Sequence, residues 1–192
     1  KTVCLTVRAP GETEYVLYRN DFSSNTADGI RTIEETAGGK VSYDGDGVLV
    51  LDASASTSAY ARVLLPEYLD GFGDIKITAK LKIDAAKNTK RWASVMLRVQ
   101  TANNYPYMQI CLRSSASLAN GTEIAERTTA NKWNVTQKAS SSINSSEYNT
   151  LTADASGSEI VYLINGKTQL TESAVTYVTG ACGFQANGCR LT

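Results

Sequence analysis

Two runs of strict alternation, Ile75 to Asp84 and Arg91 to Arg113, constrain this chain more than any other feature in it. In IKITAKLKID the apolar Ile75, Ile77, Ala79, Leu81 and Ile83 alternate with Lys76, Thr78, Lys80 and Lys82. Side chains of an extended strand point alternately to its two faces, so one face is core and the other a solvated lysine row that discourages edge pairing. The second run reads RWASVMLRVQ, TANNYP, YMQICLR. Its first arm puts Ala93, Val95, Leu97 and Val99 on one side and Trp92, Ser94, Met96, Arg98 and Gln100 on the other. The return arm separates Met108, Ile110 and Leu112 from Tyr107, Gln109, Cys111 and Arg113. Asn103, Asn104 and Pro106 lie where the chain must reverse. Two antiparallel neighbours therefore share a core face and an outer face that carries Trp92, Arg98, Tyr107, Gln109 and Arg113. Planar rings and bidentate polar groups of this kind suit a polyhydroxylated ligand.

The rest of the chain reads the same way. Lys1 to Pro10 alternates and ends in proline, a terminal strand running into the linker GETE, so residues 1–14 are expected to be a strand and linker and 15–192 one domain. Tyr15 to Phe22 is an apolar run closing on Asp21, and Ser23 to Lys40 reads as a long loop with one short strand near Ile30 and Ile33. Val41 to Ala53 alternates around Asp44-Gly45-Asp46-Gly47. Those residues would tempt a calcium reading, but a tight hairpin needs the same glycines, and a calcium loop needs roughly six or seven oxygen ligands; the turn is the favoured reading. Further strands are expected at Tyr60 to Leu65 and at Thr122 to Thr128, where Ile124 and Glu126 oppose Glu123, Ala125 and Arg127 and the choice of buried side stays open. Glu123 and Arg127 join the candidate ligand face. Trp133 sits on or beside a loop, where an amphipathic ring packs or serves as a sugar platform. ADASGS and Asn165-Gly166 mark two hairpins, and the closing run from Ala181 to Leu191 is punctuated by glycine. No stretch of eleven or more residues shows a 3.6 period. About a dozen short strands with regular turns mean an all-β antiparallel sandwich.

Composition removes whole classes of function. The 192 residues suffice for one well-buried domain. Lys plus Arg and Asp plus Glu number 19 each, so no basic footprint for nucleic acid or anionic membrane exists. Histidine is absent, which takes away the commonest general base and zinc ligand. No apolar run reaches the roughly 20 residues that span a bilayer, and no signal peptide precedes Lys1; the chain reads as a piece of a longer one. Cys4, Cys111, Cys182 and Cys189 lack the spacing of a zinc site or the density of a disulfide scaffold. A bridge between Cys182 and Cys189 fits their spacing around a Gly-rich turn, but buried free thiols are favoured. The Asn-X-Ser/Thr triplets at Asn120, Asn134 and Asn144 fit an extracellular chain, yet abundant Ser and Thr explain them as well.

NDF at Asn20 to Phe22, GVLVLDA at Gly47 to Ala53, GFGDIKITAKLKI at Gly71 to Ile83, SVMLRVQ at Ser94 to Gln100, YMQICLR at Tyr107 to Arg113 and the closing GFQANGCRLT follow one another in a familiar order. Over Tyr15 to Thr192 that order resembles the concanavalin A-like lectin and glucanase jelly roll, in particular bacterial laminin-G-like modules and family 66 carbohydrate-binding modules. Lys1 to Pro10 resembles the last strand of a bacterial immunoglobulin-like repeat. The resemblance implies that SVMLRVQ and YMQICLR lie on a concave, sugar-binding sheet, pointing to Arg98, Gln109 and Arg113. It also implies one more strand after Thr192, a gap that Lys1 to Arg8 would fill, and a structural calcium that Asp21 would join; no other cofactor is expected.

Three functions compete. The first is a non-catalytic carbohydrate-binding or adhesin module of a larger secreted or cell-surface bacterial protein, with glycan and neighbouring domains as partners. The second is a protein-adhesion or spacer module with no glycan; the plain alternative to a ligand role for Arg98 and Arg113 is cross-strand pairing with Glu123 or Glu126, which a sheet face can combine with binding. The third, and least favoured, is a glycoside hydrolase. Glucanases of family 16 place two Glu residues about 5 Å apart around an Asp on one strand, and Glu123-Ile124-Ala125-Glu126 has neither the Asp nor the spacing.

Overall fold

A computed structural model describes residues 3–8, 14–24, 29–100, 106–130 and 132–192. Three antiparallel sheets share one apolar interior. The first contains β1 (Val3–Arg8), β2 (Glu14–Asn20), β7 (Ile75–Leu81), β13 (Asn149–Ser156), β14 (Glu159–Ile164) and β15 (Lys167–Glu172). A seven-stranded sheet faces it, built from β3 (Arg31–Thr36), β6 (Tyr60–Leu64), β9 (Trp92–Val99), β10 (Tyr107–Arg113), β11 (Thr122–Arg127), β12 (Trp133–Ala139) and β16 (Ala181–Asn187). A small sheet adjoins them, formed by β4 (Lys40–Tyr43), β5 (Leu49–Asp52), β8 (Ile83–Ala86) and β17 (Cys189–Leu191). The only helical element among the described residues is a single 3₁₀ turn at Glu67–Leu69.

Alternation decides which side chains fill the interior. Ile75, Ile77, Ala79 and Leu81 from β7 meet Ala93, Val95 and Leu97 from β9 and Met108, Ile110 and Leu112 from β10, all at most 4 % exposed. Ile124 joins them from β11, which resolves the open choice there: Glu123, Ala125 and Arg127 face outward. Each fully buried branched or thioether side chain contributes about 1.5–3 kcal/mol. Along β7 the lysines face away from that interior, and Lys80 and Lys82 carry their ammonium groups over the Tyr148 ring at 5.5 and 5.0 Å.

The order of strands holds one surprise and two refinements. The segment read as a terminal strand and linker supplies β1, which lies inside the first sheet, paired with β7 on one side and β2 on the other. Trp133, read as lying on or beside a loop, opens edge strand β12. The hairpin at ADASGS turns more tightly than the loop-formers suggest, with Ser156 opposite Glu159. Asn165 and Gly166, with φ of +50° and +78°, make the expected mirror-image turn. Asp44 acts as a turn residue, its Oδ1 accepting the backbone N–H groups of Asp46 and Val48 at 2.9 and 3.1 Å. All four cysteines are free thiols.

Candidate functional site

Cross-strand register lines up the outward side chains of the seven-stranded sheet. Glu123, Cys111, Ser94, Gln185 and Arg62 form one row across β11, β10, β9, β16 and β6. The next row runs Ala125, Gln109, Met96, Gly183 and Leu64. Polar residues in such rows reach their diagonal neighbours, and here they close a buried network. Arg62 Nε and the Tyr107 hydroxyl donate to Gln185 Oε1 at 2.8 and 2.9 Å. Gln185 Nε2 donates to Ser94 Oγ at 2.9 Å and to Gln109 Oε1 at 2.7 Å, and Ser94 donates to Gln109 Oε1 at 2.9 Å. Gln109, Ser94 and Gln185 are at most 2 % exposed, so these bonds satisfy groups that water cannot reach. Burial pushes the Tyr107 hydroxyl up to about 12, leaving it a neutral donor.

Aromatic rings cover the network. Trp133 stands edge-on to Trp92 and to Tyr107, with centroids 5.5 and 5.9 Å away, and Trp92 stands edge-on to Tyr60 at 6.1 Å. Arg62 and Arg127 lie over the Tyr60 and Tyr107 rings at 4.1 and 5.9 Å. Beside this layer opens a cleft of about 140 Å³, walled by Trp92, Trp133, Gln109, Arg113, Glu123 and Val135 above Ala125. At ~30 Å³ per water that space holds about four or five waters. Arg113 Nη2 donates to Glu123 Oε1 at 2.9 Å, and Asn120 Nδ2 donates to the same oxygen at 2.7 Å. Arg113 is further anchored on the carbonyls of Asn120 and Lys90.

The sequence-based residues therefore separate. Trp92, Gln109, Arg113 and Glu123 line one cleft; Tyr107 lies beneath its aromatic cover, and Arg127 packs on Tyr107. Arg98 does not belong with them. The β9–β16 register slips between Ala181 and Gly183, and Arg98 adopts φ +55°. That bulge turns Val99, not Arg98, into the outer cluster with Met96, Tyr107 and Leu64. Arg98 is fully buried, its guanidinium donating to the carbonyls of Tyr177 at 2.9 Å and Gly73 at 3.2 Å. Gly180, at φ +143°, packs against the Arg98 backbone where a Cβ would come within 2.6 Å of it. Asp21 lies apart from the cleft, beside Arg19, Asn20 and Ser24. Its Oδ1 accepts the Ser23 N–H at 3.0 Å in the turn after β2, a bond that holds its carboxyl below the usual range. No group of three His, Cys, Asp or Glu side chains forms among the described residues.

Trp133 completes the arrangement together with Val135, Gln185 and Arg62, three residues that were not among the sequence-based ones. Trp133 was legible as a platform without a place. Gln185 carried a signal, an amide that with Asn187 alternates against the apolar Phe184 and Ala186.

No family model matches the chain, and no curated protein matches it in sequence. Solved structures do share its fold. It is similar to the carbohydrate-binding module CBM66 from Bacillus subtilis, with TM-score 0.66 at 12% identity over 85% of this chain and 91% of that one. A Bacillus licheniformis beta-glucanase gives 0.63 at 13% identity over 88% and 84%. A Bacillus subtilis protein of unknown function with a galectin-like fold gives 0.63 at 14% identity over 91% of each chain. The chain shares with them an antiparallel jelly-roll β-sandwich fold.

Proposed function

We propose that this chain is a non-catalytic carbohydrate-binding module of a larger secreted or cell-surface protein, holding glycan in the cleft beside Trp92 and Trp133. The observation that carries the proposal is the juxtaposition there of two indole rings with Gln109 and Glu123, an amide and a carboxylate each fixed by neighbours before any ligand arrives. Indole rings cover the C–H face of a sugar, while fixed polar groups choose among its hydroxyls at little ordering cost. Fold likeness to a carbohydrate-binding module and a beta-glucanase supports this reading. Affinity of one module would be modest, with neighbouring domains supplying avidity.

Hydrolysis is disfavoured by the carboxylates. Glu123 is the only one lining the cleft among the described residues. Glu126 belongs to the opposite face of β11, across from Met108, where it is hydrogen-bonded to Tyr177. A glycosidase needs two carboxyl groups converging on one bond. The test is a glycan array read beside a reducing-sugar assay on the polysaccharides that bind. Retention of a glycan without release of reducing ends is expected. Release of sugar, abolished in Glu123→Gln, would make the chain an enzyme, and an empty array would leave protein adhesion as its role.

A further inference from the structure

The hydrogen-bonding character of the cleft is set from outside it. Arg62 can only donate, so the Gln185 carboxamide must turn its oxygen toward Arg62 and Tyr107. Its nitrogen is then committed to Ser94 and to Gln109 Oε1. Gln109 is thereby forced to turn its NH₂ away from the network. That NH₂ finds no acceptor among the described residues, although Gln109 is only 2 % exposed and lines the cleft. Glu123 offers the complement. Its Oε1 is taken by Arg113 and Asn120, whereas its Oε2 accepts from none of the described residues, in a side chain 5 % exposed. A donor and an acceptor on two largely buried side chains thus stand open toward the same cleft.

Their spacing and surroundings narrow the ligand. Gln109 stands opposite Ala125 and Glu123 opposite Cys111, which makes the two diagonal neighbours on adjoining strands, roughly 7–8 Å apart. Ala125 floors the cleft, and Val135, 41 % exposed, stands beside Trp133 at its rim. Building on the glycan-binding reading above, we infer that the cleft receives the acetamido group of an N-acetylhexosamine. The acetamido carbonyl accepts from Gln109 Nε2, its N–H donates to Glu123, and its methyl group rests on Ala125 and Val135. A secondary amide directs its N–H and C=O oppositely, so it can meet a donor on one side and an acceptor on the other. A hydroxyl at the same position reaches one partner at a time and leaves the apolar rim bare. A uronic acid would bring a second carboxylate beside Glu123.

Both tryptophans of the chain line the cleft, so intrinsic fluorescence reports its occupation directly. N-acetylglucosamine oligomers, the same oligomers after de-N-acetylation, and cello-oligosaccharides of equal length would each be titrated into the folded protein. The N-acetylated series is expected to bind at least about tenfold more tightly than the other two, the loss of one hydrogen bond to a charged group. Gln109→Glu, nearly isosteric, replaces the donor by an acceptor and should abolish that preference. Should that variant not fold, Val135→Asp on the exposed edge strand removes the seat of the methyl group and should lower the same affinity about tenfold. Equal or tighter binding of cello-oligosaccharides, or an unchanged affinity in either folded variant, overturns the acetamido assignment while leaving glycan binding intact. No fluorescence response to any of the three, together with an empty array, overturns both.

Discussion

Trp133 reaches from edge strand β12 across two neighbouring strands to set its ring edge-on against Trp92 on β9, 5.5 Å away with the planes at 84°. The contact joins the sheet edge to its middle, and it leaves Trp133 39 % exposed on the side facing the cleft. A ring held on one face and open on the other is the arrangement a sugar platform needs, so its removal should separate binding from stability.

Trp133→Ala is expected to lower glycan affinity at least about tenfold while costing the fold about 1–3 kcal/mol, since two edge-to-face contacts of roughly 0.5–1.5 kcal/mol each are lost from a half-exposed site. Titration of ligand and urea unfolding of the same variant check the two halves. A stability loss without an affinity loss would make the ring structural only.

Arg98 predicts the opposite separation. Arg98→Ala removes two donors and leaves the carbonyls of Tyr177 and Gly73 buried without them, which should cost about 2–4 kcal/mol and leave glycan affinity unchanged. Arg98→Gly loses the same bonds but relieves the left-handed backbone, so it should be more stable than Arg98→Ala by about 1–2 kcal/mol. Paired denaturation curves measure that difference. A glycine variant no better than the alanine one would show that the arginine side chain, not the bulge, holds the left-handed conformation.

The misplacement of Arg98 shows where reading by parity stops. Alternation identified the sandwich and assigned the interior of β7, β9 and β10, because burial of one face of each strand fixes its register. It also brought Trp92, Gln109, Arg113 and Glu123 to one surface, since a period of two carries across paired strands. A bulge breaks that period without leaving a mark in composition: Leu97-Arg98-Val99 alternates in sequence, and only the slip opposite Cys182 reverses the last two residues. The place of Trp133 was illegible for a related reason, because it depends on which strand lies at the sheet edge. The polarity of Gln109 depends on Arg62, 47 positions away in the chain and three strands across the sheet.

Cys111, Cys182 and Cys189 should be chemically silent in the native state. Burial pushes the Cys182 and Cys189 thiols up to about 12 and Cys111 well above its usual value, so thiolate is scarce at neutral pH. A chromogenic thiol reagent near pH 8 should titrate Cys4 alone, which is half-buried on β1, and all four groups after unfolding. Native modification of a second thiol at a comparable rate would mean that the sandwich opens far more often than its packing implies.

Acid should destabilise the fold through carboxylates that bridge its loops. Glu172 accepts the Ala174 N–H at 3.0 Å and a bond from Gln137 on β12 at 3.3 Å, and the first of these chiefly holds its carboxyl below the usual range. At Asp52 burial opposes ionisation, but the N–H and hydroxyl of Ser54, at 2.9 and 2.6 Å, outweigh it with help from Arg190, and the shift is again downward. A carboxyl depressed in the folded state binds its proton more readily when unfolded, so its contribution is complete above the unfolded values of about 4.3 for Glu and 3.9 for Asp. That contribution disappears as pH falls through the folded values. Unfolding free energy should thus be flat near neutrality and decline below about pH 4. Glu172→Gln keeps an acceptor for Ala174 but no titrating proton, so it should start lower at about pH 7 and decline less steeply. Urea midpoints collected from about pH 7 to about pH 3 on both proteins decide it: parallel declines would remove Glu172 from the acid transition and assign the link between β12 and β15 to packing alone.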